Sequence, residues 1–204
     1  MNDKNLNIIG AGSHARVVVE IAEMLGYYVK VYDNDFDIKN IYDYAVNHDF
    51  DEINKNENIF FAVGDNLTRK KISENYPQVS QNLIHPKAVV SGKAGLGLGN
   101  VIMAGVVINP ATKIGNHCII NTLSSIDHDC LIGDFVHISP GAILAGNVEV
   151  LEGTHIGLGA NIKQNIKIGK YCIIGMGAVI LHNVPDFSVV VGNPAKIIRK
   201  NFLP

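Results

Sequence analysis

The sequence has few cysteines, no long apolar run and little net charge. Its three cysteines, Cys118, Cys130 and Cys172, share one position in a repeat described below, so we expect buried side chains rather than ligands, nucleophiles or disulfide partners. The N-terminal residues include no apolar stretch long enough for a signal peptide or a membrane span, which predicts a cytoplasmic protein without membrane insertion. A net charge of −2 is too small to indicate nucleic-acid binding.

The charge is unevenly distributed along the chain. Residues 1–83 contain 8 Lys/Arg and 13 Asp/Glu, a net charge of −5, whereas residues 84–204 contain 9 and 6, a net charge of +3. The positive excess in the second part would suit an anionic ligand there. A hydrophobic content of 47% with 20 glycines indicates a globular protein, and 204 residues allow one or two domains.

A six-residue repeat runs from residue 84 to residue 185 without a phase slip. All 17 hexads begin with an aliphatic residue, and the fifth position is mostly small, with Asn100 and Ile166 as the exceptions. A period of six fits neither a helix nor simple strand alternation. It indicates a solenoid in which each hexad forms one short strand and a turn. With three hexads per triangular coil we predict about 5.7 coils, in which glycines supply the corner conformations.

The N-terminal part begins with a pattern typical of a βαβ unit. A short apolar run leads into G-x-G-x-x-A at residues 10–15, then helical spacing over residues 16–26, then a strand at residues 28–32 that ends before Asp33. Such a glycine loop either binds a phosphate at the helix N-terminus or forms only a tight turn. Only one mononucleotide-binding half fits before residue 84.

The remaining N-terminal segments complete a small α/β domain. We predict a short helix at residues 41–46, a strand at residues 59–63 and a helix at residues 67–75 that is capped by Asn66 and stopped by Pro77. The sheet should have three or four parallel strands. We place the domains at residues 1–82 and 83–204, fixed relative to each other because no flexible linker separates them.

Histidines in the repeat are the candidate catalytic residues. His128 lies between Asp127 and Asp129, off the interior positions, where a carboxylate can orient the imidazole as a general base; alternatively it is a solvated surface residue. His137 and His155 are 18 residues apart and should stack on adjacent coils. An alternative interpretation is a zinc site like that of β-helical carbonic anhydrases, with His137, His155 and His117 as its three ligands.

Three features together resemble a known family: the short glycine-rich α/β domain, the run NTLSSIDHDCLIGDFVHI at residues 121–138, and the tail VGNPAK at residues 191–196. They resemble the sugar O-/N-acyltransferases of the left-handed parallel β-helix (hexapeptide-repeat) class. The similarity is to the bacillosamine-pathway enzymes, which acetylate a UDP-linked 4-amino-4,6-dideoxy sugar, and to sialic acid O-acetyltransferases. The resemblance implies a Rossmann-like half domain followed by a left-handed β-helix, and acetyl-CoA as co-substrate without a metal.

The resemblance also implies roles for residues of the repeat. His128 matches the general base and Asp129 the acidic residue that orients it, although the family usually has Glu there. Asn121 matches an asparagine near the acceptor amine. His137 matches a second active-site histidine near the thiol end of acetyl-CoA, and Gly146 a glycine whose N–H faces the thioester carbonyl.

The resemblance also implies binding roles for residues of the N-terminal part and of the tail. Gly10, Gly12 and His14 lie where the nucleotide-sugar domain meets the sugar and diphosphate, although the family often has Gly-His-Gly where this chain has Ser-His-Ala. Asp33 would meet the nucleoside, and Lys196 in the tail is expected to bind the co-substrate.

The implied assembly is a homotrimer with each active site between two subunits. His128 and His137 are half a coil apart, so they should lie on different sides of one prism and converge only across an interface. We expect N-acetylation of a UDP-amino sugar by direct transfer. O-acetylation of sialic acid or a polysaccharide precursor, a metal-dependent β-helix and a purely structural solenoid remain alternatives.

Overall fold

The computed structural model describes residues 4–53, 58–76 and 81–202 and contains two structural parts. The first part contains β1 (Asn5–Ile9), α1 (Ser13–Met24), β2 (Tyr28–Tyr32), β3 (Asn40–Ile41), β4 (Tyr44–Asn47), a 3-10 turn (Phe50–Glu52), β5 (Asn58–Phe61) and α2 (Asn66–Asn75). Its strands form one sheet in the order β3-β4-β2-β1-β5, in which only the β3–β4 pair is antiparallel.

Two expectations about this part are wrong. Residues 41–46 form a hairpin between β3 and β4 rather than a helix, because Val46 joins the sheet beside Val31 and Tyr42 turns the chain with φ +51°. The cap of α2 is Asp65 rather than Asn66, since the Asp65 carboxylate accepts hydrogen bonds from Thr68 N and Oγ1 at 2.8 and 2.7 Å. The helix stop predicted at Pro77 lies outside the described residues.

The second part is the left-handed parallel β-helix that the resemblance implied. It consists of seventeen two-residue strands, β6 to β22: Leu83–Ile84, Val89–Val90, Gly95–Leu96, Val101–Ile102, Val107–Ile108, Lys113–Ile114, Ile119–Ile120, Ser125–Ile126, Leu131–Ile132, His137–Ile138, Ile143–Leu144, Glu149–Val150, His155–Ile156, Asn161–Ile162, Lys167–Ile168, Ile173–Ile174 and Val179–Ile180. Each strand pairs in parallel with the strand 18 residues away, as in Ile108↔Ile126 and Ile126↔Leu144. Three hexads therefore make one coil.

The prism has three faces. The first face contains β6, β9, β12, β15, β18 and β21, and is extended by β23 (Ser188–Val191) and the antiparallel β24 (Lys196–Lys200). The second face contains β7, β10, β13, β16, β19 and β22, and the third contains β8, β11, β14, β17 and β20. Aliphatic first-position side chains fill the interior, and Cys118, Cys130 and Cys172 are buried there as free thiols, as predicted.

Glycines supply part of the corner conformations, as expected, but other residues share this role. Positive φ occurs at the fourth hexad position, where Asp129 (+60°) and Phe135 (+57°) adopt it as well as glycines. Glycines that follow the aliphatic residue have no positive φ; a Cβ on Gly97 would lie 2.5 Å from the Gly115 carbonyl oxygen. These glycines are needed because adjacent coils approach closely there.

The two parts share a hydrophobic core. Leu83, Val101, Met103 and Ile119 on the first face are buried in the same cluster as the apolar side of α1 and strands β1 and β2. Polar contacts reinforce the junction: Asn66 Nδ2 donates to the Gly153 carbonyl at 3.1 Å. The first part therefore lies against the first face of the β-helix. Within the described residues, no helix has the length and apolar character needed to cross a bilayer.

Candidate active site

His128 lies exposed in the turn between β13 and β14, at the corner between the second and third faces. Its Nδ1 is 2.8 Å from Oδ2 of Asp129. A carboxylate can only accept, so Nδ1 carries the proton and Nε2 is left with its lone pair. The hydrogen bond to Asp129 and the charge of Asp127 raise the pKa of His128 above its usual value. This arrangement suits a general base.

The flanking carboxylates occupy different positions around the ring. Oδ1 of Asp127 accepts from the backbone N–H of His128 and from Asn109 Nδ2, both at 2.8 Å. Oδ2 of Asp127 lies 3.9 Å from His128 Nε2. Asp129 is thus placed to orient the ring, while Asp127 faces the basic nitrogen. Asn109 was not predicted as a site residue, although a polar residue 18 positions before Asp127 was the available signal.

Gly146 lies beneath the imidazole ring, one coil further along. A Cβ at this position would be 2.7 Å from Cε1 and 2.8 Å from Nε2 of His128, so only glycine permits this ring position. The register is held by Asn147, whose N–H donates to the His128 carbonyl at 2.9 Å. The N–H of Gly146 has no acceptor among the described residues.

A second polar cluster lies on the first face. Nδ2 of Asn121 is 3.1 Å from Nε2 of His137, whose ring stacks on that of His155 with centroids 4.6 Å apart and an angle of 4° between the planes. Nε2 of His155 is 2.8 Å from Oγ of Ser139. Burial, His155 and the charge of Arg69 lower the pKa of His137 to about 2, so the ring is neutral.

His14 and Arg69 connect this cluster to the N-terminal part. Burial and the Arg69 charge lower the pKa of His14 to about 4, and the charge of His14 contributes in turn to the low pKa of His137. Nε2 of His14 is buried without a hydrogen-bond partner among the described residues. The guanidinium of Arg69, 1% exposed, donates to the carbonyls of His117 and Phe135 in the β-helix. No pattern in the sequence distinguished Arg69.

The glycine loop borders a cavity of about 560 Å³ that Gly10, Asp33, Phe50 and Tyr76 help to line. Gly10 has φ +109°, and a Cβ there would lie 2.9 Å from the Ala62 carbonyl oxygen. Oδ2 of Asp33 accepts from the N–H of Ala11 at 2.6 Å. Asp33 therefore fixes the loop.

Gly12 and Lys196 have less structural context. Gly12 caps α1 in an extended conformation, and within the described part of the chain no atom lies within 4 Å of a Cβ built on it. Lys196 is exposed on the edge strand β24, on a different part of the prism from the His128 corner.

The histidines proposed as zinc ligands are engaged in other contacts. His117 stacks on Phe135 with centroids 5.1 Å apart, and Nε2 of both His137 and His155 lies at hydrogen-bonding distance from a neighbour. Across residues 4–53, 58–76 and 81–202, no three His, Cys, Asp or Glu side chains are grouped as metal ligands.

Comparison with known proteins identifies the family. Residues 5–76 match the PglD N-terminal domain family. The acetyltransferase domain of PglB from Neisseria gonorrhoeae FA1090, solved with acetyl coenzyme A, is 38% identical, with a TM-score of 0.90 over 97% of this chain and 100% of that one. The chain belongs to the left-handed β-helix family of sugar N-acetyltransferases. The resemblance seen in the sequence is confirmed at this level.

Two further relatives are associated with GDP-perosamine. PerB from Caulobacter crescentus, solved with CoA and GDP-perosamine, is 36% identical, with a TM-score of 0.88 over 96% of this chain and 97% of that one. GDP-perosamine N-acetyltransferase of Escherichia coli O157:H7 is 36% identical over 92 residues, which are 44% of this chain and 42% of that protein. The chain spans less than half the length of the curated relatives it matches.

Proposed function

We propose that this protein transfers an acetyl group from acetyl-CoA to the C4 amine of a nucleotide-linked 4-amino-4,6-dideoxy sugar, with His128 as the general base. The observation that carries the proposal is the His128 ring, held by Asp129 at Nδ1 and by contact with Gly146, with Nε2 free to accept a proton. Family membership supports an acetyl-CoA donor and an amino-sugar acceptor.

The proposed mechanism is direct transfer. Nε2 of His128 takes a proton from the sugar amine as the amine nitrogen attacks the thioester carbon. The hydrogen bond from Nδ1–H to Asp129 stabilises the imidazolium that forms. The N–H of Gly146 is the proposed donor to the carbonyl oxygen. The tetrahedral intermediate then expels CoA thiolate, which takes up the proton. The buried cysteines take no part, in agreement with transfer that forms no acyl-enzyme.

The nucleotide is proposed to be UDP, as the sequence resemblance implies, and GDP is the competing candidate because PerB binds GDP-perosamine. We assign the nucleotide to the cavity beside Gly10 and Asp33. Thiol release from acetyl-CoA, measured with UDP-, GDP- and dTDP-linked 4-amino sugars, tests both parts of the proposal. We expect the highest kcat/KM with UDP. A preference for GDP would correct the nucleotide, and no release with any of the three would refute the activity.

The active site is proposed to be shared within a homotrimer, in a reducing cytoplasm that suits the free thiols. Support comes from the placement of His128 and His137 on different sides of the prism, which prevents them from meeting within one chain. Unfolding and refolding a mixture of the His128→Ala and His137→Ala proteins should restore activity, because some mixed interfaces would carry both histidines. A monomer in solution, or a mixture no more active than its components, would contradict a shared site.

A further inference from the structure

Asp127 is fixed on the side of His128 that carries the basic nitrogen. Its Oδ1 accepts two hydrogen bonds, from Asn109 Nδ2 and from the His128 N–H, both at 2.8 Å. Its Oδ2 accepts none from the described residues and lies 3.9 Å from Nε2 of His128. Because 3.9 Å is longer than a hydrogen bond, two acceptors face a common space without contacting each other.

A space bounded by two acceptors favours a group that carries two hydrogens. An amine nitrogen has at least two, and it can lie within about 3 Å of both Oδ2 and Nε2. A hydroxyl group has one. When it donates that hydrogen to Nε2, its oxygen lone pairs face the Asp127 carboxylate without a bridging hydrogen. Sites whose polar groups are left unpaired by an analogue discriminate strongly against it.

We propose that Asp127 is a specificity-determining residue that selects an amine over a hydroxyl acceptor by accepting the hydrogen that His128 does not remove. This inference rests on the proposed function. Atoms balance in the step: one N–H proton moves to Nε2, the nitrogen lone pair forms the C–N bond, the C–S bond breaks, and the thiolate recovers the proton from His128. The hydrogen held by Asp127 stays on nitrogen and becomes the amide N–H.

Asn109 is a positioning residue in this scheme. It lies one coil before Asp127, in the adjacent strand register, and its amide holds Oδ1 so that Oδ2 points towards the space beside Nε2. Without that amide the carboxylate of Asp127, whose side chain is 40% exposed, could rotate towards solvent. The pair therefore makes the selectivity depend on two side chains that neither hold the ring nor contact the thioester.

The experiment compares acetylation of a nucleotide-linked 4-amino sugar with that of its 4-hydroxy counterpart. Asp127→Asn keeps the shape and the Oδ1 contacts but replaces the second acceptor by a donor. We expect kcat/KM for the amine to fall about 10- to 100-fold, with the rate on the hydroxyl sugar unchanged or higher. Asn109→Ala should reduce the ratio of amine to hydroxyl kcat/KM in the same direction by a smaller factor.

Asp134→Asn is the matched control. Asp134 also accepts from an asparagine one coil before it, Asn116, but it lies in the turn between β14 and β15, away from His128, and no hydrogen bond or ion pair joins it to a histidine among the described residues, so the ratio should stay at the parent value. If Asp127→Asn keeps the parent ratio within twofold, or lowers both rates equally, the inference is overturned and the proposed function stands. A parent protein that acetylates only the hydroxyl sugar would overturn both.

Discussion

Gly146→Ala tests whether the position of the His128 ring determines the rate. The added methyl group would meet Cε1 and Nε2 at 2.7 and 2.8 Å, distances that real Cβ atoms do not show. Gly146 has no positive φ, so alanine causes no backbone strain. Alanine also keeps the N–H that we propose as a donor to the thioester. The substitution therefore displaces the base while leaving the proposed oxyanion donor in place.

The size of the effect follows from these distances. Ordinary van der Waals contact begins at 3.4 Å, so the ring must move by about 0.7 Å or rotate, and either change weakens the 2.8 Å bond to Asp129. Misplacement of a reacting group by about 1 Å costs up to about 100-fold in rate. We expect kcat/KM to fall about 10- to 100-fold. Because the side chain of His128 is 59% exposed, the loss of stability should stay below about 1 kcal/mol.

The assay is thiol release from acetyl-CoA at saturating sugar nucleotide, combined with thermal unfolding. Gly92→Ala is the matched control, because a Cβ at Gly92 would have no atom of the described residues within 4 Å and its φ is not positive. The control should keep parent activity. If Gly146→Ala were as active as Gly92→Ala and equally stable, the position of the ring over Gly146 would not matter for the reaction, and the reasoning would be wrong.

Three further predictions concern charge and burial. Arg69→Met should lower the free energy of unfolding, measured by urea denaturation, by about 3–5 kcal/mol because buried carbonyls lose their donors. The control Arg16→Met, on the exposed side of α1, should change it by no more than about 0.5 kcal/mol. A loss below about 1 kcal/mol for Arg69→Met would contradict this prediction. Because the pKa of His137 is about 2 in the folded state and 6.5 in the unfolded state, the unfolded chain binds more protons between these pH values. The contribution of His137 to the free energy of unfolding should be complete above about pH 6.5 and should fall by about 1.4 kcal/mol per pH unit on acidification. His137→Gln should reduce this slope, and an unchanged slope in the variant would contradict the prediction. Asp129→Asn should shift the acidic limb of the kcat/KM profile to lower pH, because the pKa of His128 loses its largest upward contribution; an unmoved limb would show that another group titrates.

The sequence was most informative where packing repeats along the chain. Every hexad places its aliphatic residue at the same interior position, so the strand register followed from counting in steps of 18. The same count places Gly146 one coil from His128. The stacking of His137 on His155 followed in the same way. Periodic structure is predictable because each coil contacts mainly its two neighbours.

Predictions from the sequence were wrong or incomplete where contacts between distant residues decide the structure. The apolar spacing of residues 41–46 fits a helix as well as a strand, and the pairing of Val46 with Val31 decides in favour of the strand. The residues alone left open which carboxylate orients His128; the turn decides for Asp129, as the resemblance implied, because Asp129 adopts φ +60° and reaches Nδ1. Arg69 acts through carbonyls of residues that are 48 and 66 positions away, which no local pattern reports.

The most direct test of the account is the identity of the product. Purified protein, acetyl-CoA and a UDP-linked 4-amino-4,6-dideoxy sugar should yield one acetyl group per sugar, located on the C4 nitrogen by NMR, with one thiol released. His128→Ala should form the same product about 10²–10⁴-fold more slowly with unchanged thermal unfolding. An acetyl group on oxygen, or parent-like turnover by His128→Ala, would contradict amine acetylation with His128 as its base.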